Sequence, residues 1–384
     1  GRSVQEAVQP CVGAGTPGHE CRFVGYESGS SHTSPEHVGL GASASGVAGK
    51  GHGLEIPDEA HGPGQDLPFP VDSEQVIKNN TQHWSLINDF ELDIGDIKTV
   101  WELSRFDWLF YFAIKYIRTK DNDHIEELNR WLNDWCLHNP VNQGVNWKCG
   151  QEASIRVMHL AAACYLLNQA HAMSEELARL IYQHLKRIAP TLRYAMAQDN
   201  NHGTSEATAL YIASILLEQT THCKDKAQIT KWQKSGKYWL ENRVRQLIAD
   251  DGCFSQNSVN YHRLMLDTLS LAEFFRQRFE KEKFSDAFYQ KAIKASRWLY
   301  LMTDEDKGKA PIFGLNDGAH LLPVTTCDYL DYRPSVQWAY SLFTGNFIYS
   351  NKASYQQLAT LFPSKLRHTA DNKKPRPEEL YTGY

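Results

Sequence analysis

From Trp101 to about position 362 the apolar residues return every three or four positions, and no segment alternates with the period of two that a half-buried strand requires. In 107–117 the repeating set is Trp108, Leu109, Phe112 and Tyr116; in the next segment it is Ile125, Leu128, Trp131, Leu132 and Trp135. The same spacing predicts helices over 150–168, 174–197, 205–218, 227–249, 262–280, 285–302 and 335–343, with a shorter one over 352–362. The breaks are brief and carry turn chemistry, as in Lys120-Asp121-Asn122-Asp123, Asp250-Asp251-Gly252 and Asp304-Glu305-Asp306-Lys307-Gly308. Long helices joined by short turns pack as antiparallel hairpins. No fixed repeat of sequence relates one hairpin to the next, which disfavours a regular solenoid. The expected fold is all-α, an incomplete (α/α) toroid.

The flanks read differently. Residues 1–66 hold more than half of the chain's 25 glycines, with Ser, His and Pro but few bulky apolar residues. Such a stretch cannot bury enough apolar surface to offset its backbone entropy, so it is expected to be disordered or loosely attached. Aromatics return in 67–97 among turn residues, as an irregular segment laid against the folded body, and the toroid domain is assigned to 67–362. Residues 363–384, with Lys373-Lys374-Pro375-Arg376-Pro377, read as a linker towards an absent C-terminal domain.

Composition excludes several classes of function. Hydrophobic residues make up 42% and aromatics 11%, enough for a substantial core, while a formal charge of -5 gives no basic excess for nucleic acid. An anionic ligand has to be met by local groups. No run of about 18 apolar residues is present, so no membrane span is expected. Cys11, Cys21, Cys136, Cys149, Cys164, Cys223, Cys253 and Cys327 are widely spaced, with no metal-ligand pattern, and read as isolated thiols. No metal and no cofactor is expected. Gly1-Arg2-Ser3 has neither an initiator Met nor a signal-peptide apolar segment, so localisation is not read from it.

Chemistry concentrates at helix starts. In Asp199-Asn200-Asn201-His202-Gly203-Thr204-Ser205-Glu206, Glu206 lies one helical step from His202 and can orient its imidazole. Asn201 offers an uncharged amide donor and His202 a group that works as acid, base or donor near neutral pH. The plainer reading is a helix cap at Asn200 or Asn201 followed by a solvated histidine. In Ser258-Val259-Asn260-Tyr261-His262-Arg263, Tyr261 heads an apolar helical face. A phenol titrates near 10 and needs cationic or hydrogen-bonding neighbours to act as a base, which Arg263 or a histidine would supply. Most tyrosines are instead core amphiphiles with a satisfied hydroxyl. In 142–156, Trp147 stands at a loop-to-helix junction where it can stack on a sugar, and Glu152 and Arg156 form an i, i+4 pair; a packed Trp and a surface pair are the bland alternative. The loop Phe313-Gly314-Leu315-Asn316-Asp317-Gly318-Ala319-His320 reads as architectural and near a ligand mouth.

Taken in order over about 83–384, these runs resemble the heparinase II/III-like polysaccharide lyases, kin to alginate lyases. The set includes His83-Trp84-Ser85, Gly95-Asp96-Ile97-Lys98, Trp101-Glu102-Leu103-Ser104-Arg105-Phe106, the 144–156 segment, Asn200-Asn201-His202 with Glu206, Asn260-Tyr261-His262-Arg263, and Asn316-Asp317-Gly318. The resemblance implies an N-terminal α/α toroid and a C-terminal antiparallel β-sandwich, with the substrate between them. It matches Asn201 and His202 to the family's Asn-His pair and Tyr261 to its catalytic Tyr. A further family histidine and often a structural zinc lie in the sandwich. The implied activity is that of a carbon-oxygen lyase acting on a uronate-containing polysaccharide, whether sulfated glycosaminoglycan, alginate-like or capsular. The implied location is periplasmic or secreted.

The lyase reading makes Asn201, His202 and Tyr261 catalytic and Trp147, Arg156, Glu206 and Arg263 supporting or substrate-binding residues. Either Tyr261 or His202 would take the C5 proton, depending on whether the elimination is syn or anti. A C5 epimerase would remove the same proton. An α/α-toroid glycoside hydrolase would need two facing carboxylates, for which Glu102, Glu152, Glu206 and Asp317 are available. A polysaccharide-binding or biosynthesis-associated protein without turnover is the non-enzymatic alternative.

Overall fold

A computed structural model describes residues 22–23, 81–87, 97–349 and 353–366. Twelve helices occur among them: α1 (Lys98–Leu103), α2 (Trp108–Thr119), α3 (Asp123–His138), α4 (Gly150–Leu166), α5 (Glu175–Ile188), α6 (Leu192–Ala197), α7 (Asn201–Gln219), α8 (Lys226–Leu247), α9 (Val259–Arg278), α10 (Asp286–Met302), α11 (Arg333–Thr344) and α12 (Ala353–Leu361). Among the described residues there is no strand, only isolated bridges between His83 and Gln143 and between Ile248 and Phe254. No described helix is long and apolar enough to cross a membrane.

Burial separates the helices into two layers. In α4, 14 of 17 residues are buried, in α7 16 of 19 and in α9 18 of 20, whereas α8 buries 7 of 22 and α10 6 of 17. The first group must therefore lie inside and the second outside. The packing agrees: α2, α4, α7, α9 and α11 each contact the next in series, and each carries an outer partner, α3, α5, α8, α10 and α12 respectively. The end members α2 and α11 do not pack broadly on one another among the described residues, so the double-layered arc stays open. This is the incomplete α/α toroid of helical hairpins.

Local chemistry explains the boundaries. Ser174, Asp225 and Ser285 cap α5, α8 and α10 through side-chain oxygens that accept first-turn amides. Gly345, at φ 74°, ends α11 in the left-handed conformation. The single helix expected over 174–197 is divided, because Pro190 enforces a 3-10 turn at Ala189–Thr191 between α5 and α6. The helices α7 and α9 begin at Asn201 and Val259, earlier than apolar periodicity alone marks, since Asn200 and Ser258 act as caps.

The N-terminal segment expected at 1–66 lies outside the described residues except at Arg22 and Phe23. There Phe23 is 1% exposed, and its backbone N–H and carbonyl are bracketed by the Asn129 carboxamide at 2.7 and 2.8 Å. Residues 67–80 and the linker beyond 366 are outside the described part as well, as are Cys11 and Cys21. The six described cysteines are free thiols.

The tightest helix contact is between α7 and α8. A Cβ on Gly236 would stand 2.7 Å from both the Ala207 carbonyl oxygen and the Tyr211 amide nitrogen, which are backbone atoms that cannot rotate aside. Alanine is the better helix former by about 1 kcal/mol, but overpacking a core contact costs about 1–3 kcal/mol. Gly236→Ala is expected to lower the thermal unfolding midpoint followed by circular dichroism; an unchanged or raised midpoint would show that the two helices can separate freely.

Candidate active site

The inner helices α4, α7 and α9 bring their N-terminal ends together. Gln151 near the start of α4 donates from Nε2 to Ser205 Oγ of α7 at 3.1 Å. The Asn201 amide at the start of α7 donates to Gln256 Oε1, just ahead of α9, at 2.8 Å. Gly150 leaves room for the Glu206 side chain: an added Cβ would come within 2.6 Å of Glu206 Oε1. Each helix end carries partial positive charge from its unpaired amides, so this junction favours an anion although the whole chain is acidic.

Asn200 accepts the His202 amide at 2.9 Å and Ser258 accepts the Tyr261 amide at 3.2 Å. Capping thus falls to Asn200 and Ser258, which leaves the side chains of Asn201, His202 and Tyr261 free of that task. Asn201 is 5% exposed, and among the described residues its carboxamide has no hydrogen-bond partner. The His202 side chain keeps 27% exposure, with Nδ1 4.0 Å from Glu206 Oε1.

An ion pair stands at the start of α4. Arg105, in the turn after α1, donates from Nε and Nη2 to the two oxygens of Glu152 at 2.8 and 2.9 Å. The Glu152 charge acts on both His202 and Tyr261, and the Arg105 charge acts on Tyr261 and Asp317. The Tyr261 hydroxyl donates to Asp317 Oδ2, and Lys98 Nζ lies 3.5 Å from the same oxygen.

These surroundings set the protonation states. Burial lowers the His202 pKa below the usual histidine value, with partial compensation from Glu152, so its imidazole is neutral at pH 7. Burial and then the bond to Asp317 push the Tyr261 phenol up, so it is protonated. The hydrogen bond from Tyr261 and the Lys98 charge hold Asp317 below the usual carboxylate range. Burial pushes Glu206 up to about 8 against the opposing charge of Arg187, leaving a buried neutral acid whose Oε2 has no partner.

The loop carrying Asp317 is fastened to the start of α9. Val259 N–H donates to the Phe313 carbonyl at 3.1 Å, and Ser258 Oγ donates to the Leu315 carbonyl at 2.6 Å. Gly314 makes this approach possible: at φ +74° a Cβ would sit 2.2 Å from the Asn257 carbonyl oxygen. The Tyr329 hydroxyl lies 3.0 Å from Asn260 Oδ1 and 2.6 Å from Asn316 Oδ1, tying the residue before Asp317 to the one before Tyr261.

Three residues expected to support or bind substrate are sealed in the core. Trp147 is 0% exposed, its indole N–H donates to the Asn139 carbonyl at 3.1 Å, and its ring packs on His184 at 4.5 Å; no face remains for a sugar. Arg156 is also 0% exposed, donating to His184 Nε2 at 3.1 Å and the Asn146 carbonyl at 2.6 Å, between the rings of Trp135 and Trp147. The ion pair expected with Glu152 does not form, because Arg105 takes both carboxylate oxygens. Arg263, 0% exposed, donates to Asn260 Oδ1 at 2.8 Å and lies 4.6 Å from the rings of both Tyr329 and Tyr332, so it braces the 329–332 turn. Glu206 faces His202 rather than open solvent.

Arg105, Lys98 and the contact between Tyr261 and Asp317 were not assigned from the sequence. Arg105 and Asp317 do stand in runs that carried the family resemblance, Trp101–Phe106 and Asn316–Gly318, but no spacing links residues more than 200 positions apart.

A crystal structure of heparinase III is similar at 17% sequence identity, with a TM-score of 0.48 over 63% of this chain and 36% of that one. The chain thus spans about a third of the length of that protein. No curated protein matches it. The family described as Heparinase II/III N-terminus matches residues 76–325, well over half of the 384. The chain belongs to the heparinase II/III N-terminal family.

Proposed function

We propose that this chain forms the toroid part of a polysaccharide lyase that cleaves a uronate-containing polymer by β-elimination. The observation that carries the reading is that α4, α7 and α9 start beside one another, Gln151 bonding Ser205 and the Asn201 amide bonding Gln256, which puts His202 in the first turn of α7 and Tyr261 in the first turn of α9 at a junction poised for anions. Elimination begins with loss of the C5 proton, which lies α to the uronate carboxylate. As that proton leaves, charge builds on the carboxylate oxygens and has to be met by donors already in place.

Asn201 suits that task because its carboxamide is held in a buried position and is otherwise unengaged. The neutral His202 imidazole has one N–H to donate without the cost of a buried cation. A protonated Glu206 adds no repulsion towards an incoming uronate, whereas an ionised one would. Tyr261 then moves the proton between C5 and the glycosidic oxygen on C4, and the C4–O bond breaks to leave an unsaturated sugar. Family membership supports the same class of reaction.

Hydrolysis fits less well. A general acid needs a carboxyl kept protonated beside the scissile bond. Glu152 is bound at both oxygens by Arg105, Asp317 is held ionised by Tyr261 and Lys98, and Glu206 is sealed at 3% exposure. A C5 epimerase shares the proton abstraction, and the product separates the two: elimination yields a conjugated double bond that absorbs in the ultraviolet.

The protein is expected to release ultraviolet-absorbing oligosaccharides from at least one polymer in a panel of glycosaminoglycans, alginates and capsular uronates; an altered uronate composition without absorbance would establish the epimerase instead. Tyr261→Phe is expected to reduce this release by about 10²–10⁴-fold with an unchanged unfolding profile. Retained activity in that variant would remove Tyr261 from the chemistry.

Glu206 also sets a pH dependence. It binds a proton up to about pH 8 in the folded protein but releases it near 4.5 when unfolded. Its stabilising contribution is therefore complete below about 4.5 and is lost as pH rises towards 8. Against Glu206→Gln, which cannot ionise, the parent is expected to lose about 1.4 kcal/mol per pH unit across that window. Chemical denaturation of both proteins at several pH values measures the gap; a constant gap would show that Glu206 is not a buried neutral acid.

A further inference from the structure

A phenol makes a poor base near neutral pH, and Tyr261 is worse placed than most. It is partly buried and faces a carboxylate, and both conditions oppose phenolate. Taking up a proton as a neutral phenol would create an oxonium unless the hydroxyl proton left at the same moment. The structure supplies a destination for that proton. The hydroxyl already donates to Asp317 Oδ2, so the lone pairs of Tyr261 Oη are free to face a substrate. Asp317 is itself positioned with care, through the anchors of Gly314 and Leu315 on the α9 start and the Asn316–Tyr329–Asn260 contacts. Lys98 completes the cluster from α1.

Resting on the lyase reading, we propose that Asp317 is a positioning residue that acts through Tyr261 as its proton relay. As Tyr261 Oη accepts the proton from C5, its own proton passes to Asp317 Oδ2, and the C5–H electron pair moves into the forming C4–C5 double bond. The C4–O bond breaks with its electrons going to the departing oxygen. The proton on Asp317 then returns to Oη as Oη gives one to that oxygen. One proton has moved from C5 to the leaving group, and both residues end in their starting states. The same phenol serves both transfers, so the elimination is syn.

Asp317→Asn keeps the size of the side chain while removing its capacity to take a proton. In the full protein the variant is expected to lose about 10²-fold or more in kcat/KM. Its residual activity should rise about tenfold per pH unit on the alkaline side, because Tyr261 must now ionise first. The parent should instead be level through the neutral range. A merely structural role would lower the rate without adding that slope, and parental rate and profile in Asp317→Asn would overturn the relay.

An ultraviolet titration of tyrosine ionisation, with Tyr261→Phe as the reference that identifies this residue, gives a readout free of turnover. Tyr261 is expected to ionise at lower pH in Asp317→Asn than in the parent, since the carboxylate that opposes phenolate is gone. An unmoved titration would overturn the pairing whether or not any polymer is cut. Absence of unsaturated product from every uronate polymer, together with a shifted titration, would overturn the lyase reading and the relay step while leaving the Tyr261–Asp317 couple established.

Discussion

The inner helix α7 is packed on nearly every side, and the arrangement of the molecule follows from that constraint. It packs against α4, α5, α6, α8 and α9, and nearly all of its residues are buried. Such a helix has no solvent face on which to discard a polar group, so its small residues admit neighbours closely and its first-turn amides need partners. Gly236 provides the closest approach from the outer layer, and Asn200 and Gln256 serve the exposed end. The candidate site lies at the N-terminal end of this helix, where Asn200, Gln151 and Gln256 bond its backbone amides and the Ser205 hydroxyl.

Electrostatics at that junction is local. The chain carries a formal charge of -5, yet the potential an incoming group meets is set by three helix ends, Arg105 and Lys98 against Glu152 and Asp317. Burial removes the remaining negative charge by keeping Glu206 protonated to about pH 8. The same burial keeps His202 neutral. Opposite groups are thereby driven to uncharged forms side by side, so that neither an imidazolium nor a carboxylate charge stands there at neutral pH.

Legibility in the sequence followed the range of the interactions involved. Trp108, Phe112 and Tyr116 on one face, or Asp225 and Ser285 at a helix start, declare themselves within a few residues, so helix positions and the short turns were readable. Asn201, His202 and Tyr261 stood out as candidates by their company, though their entry into the first helical turn depended on caps that apolar periodicity does not see. Trp147, Arg156 and Arg263 were misplaced because an aromatic or a cation at a helix start looks alike whether it faces a cleft or a core. Their burial comes from Trp135, His184, Tyr329 and Tyr332, which approach from other segments. Glu152 chose Arg105 over the helical neighbour Arg156 for the same reason: a guanidinium able to meet both oxygens squarely lay across the fold.

By itself, then, the sequence determined an all-α chain of hairpins, the helix ends that carry polar chemistry, and the family those motifs resemble, because each of these depends on period, capping or local order along the backbone. Tertiary structure alone decided which residues meet and which are entombed: the Arg105–Glu152 pair, the Tyr261–Asp317 contact and the neutral state of Glu206. Hydrogen bonding and desolvation depend on distances of a few ångströms across the fold, and no interval measured along the chain encodes them.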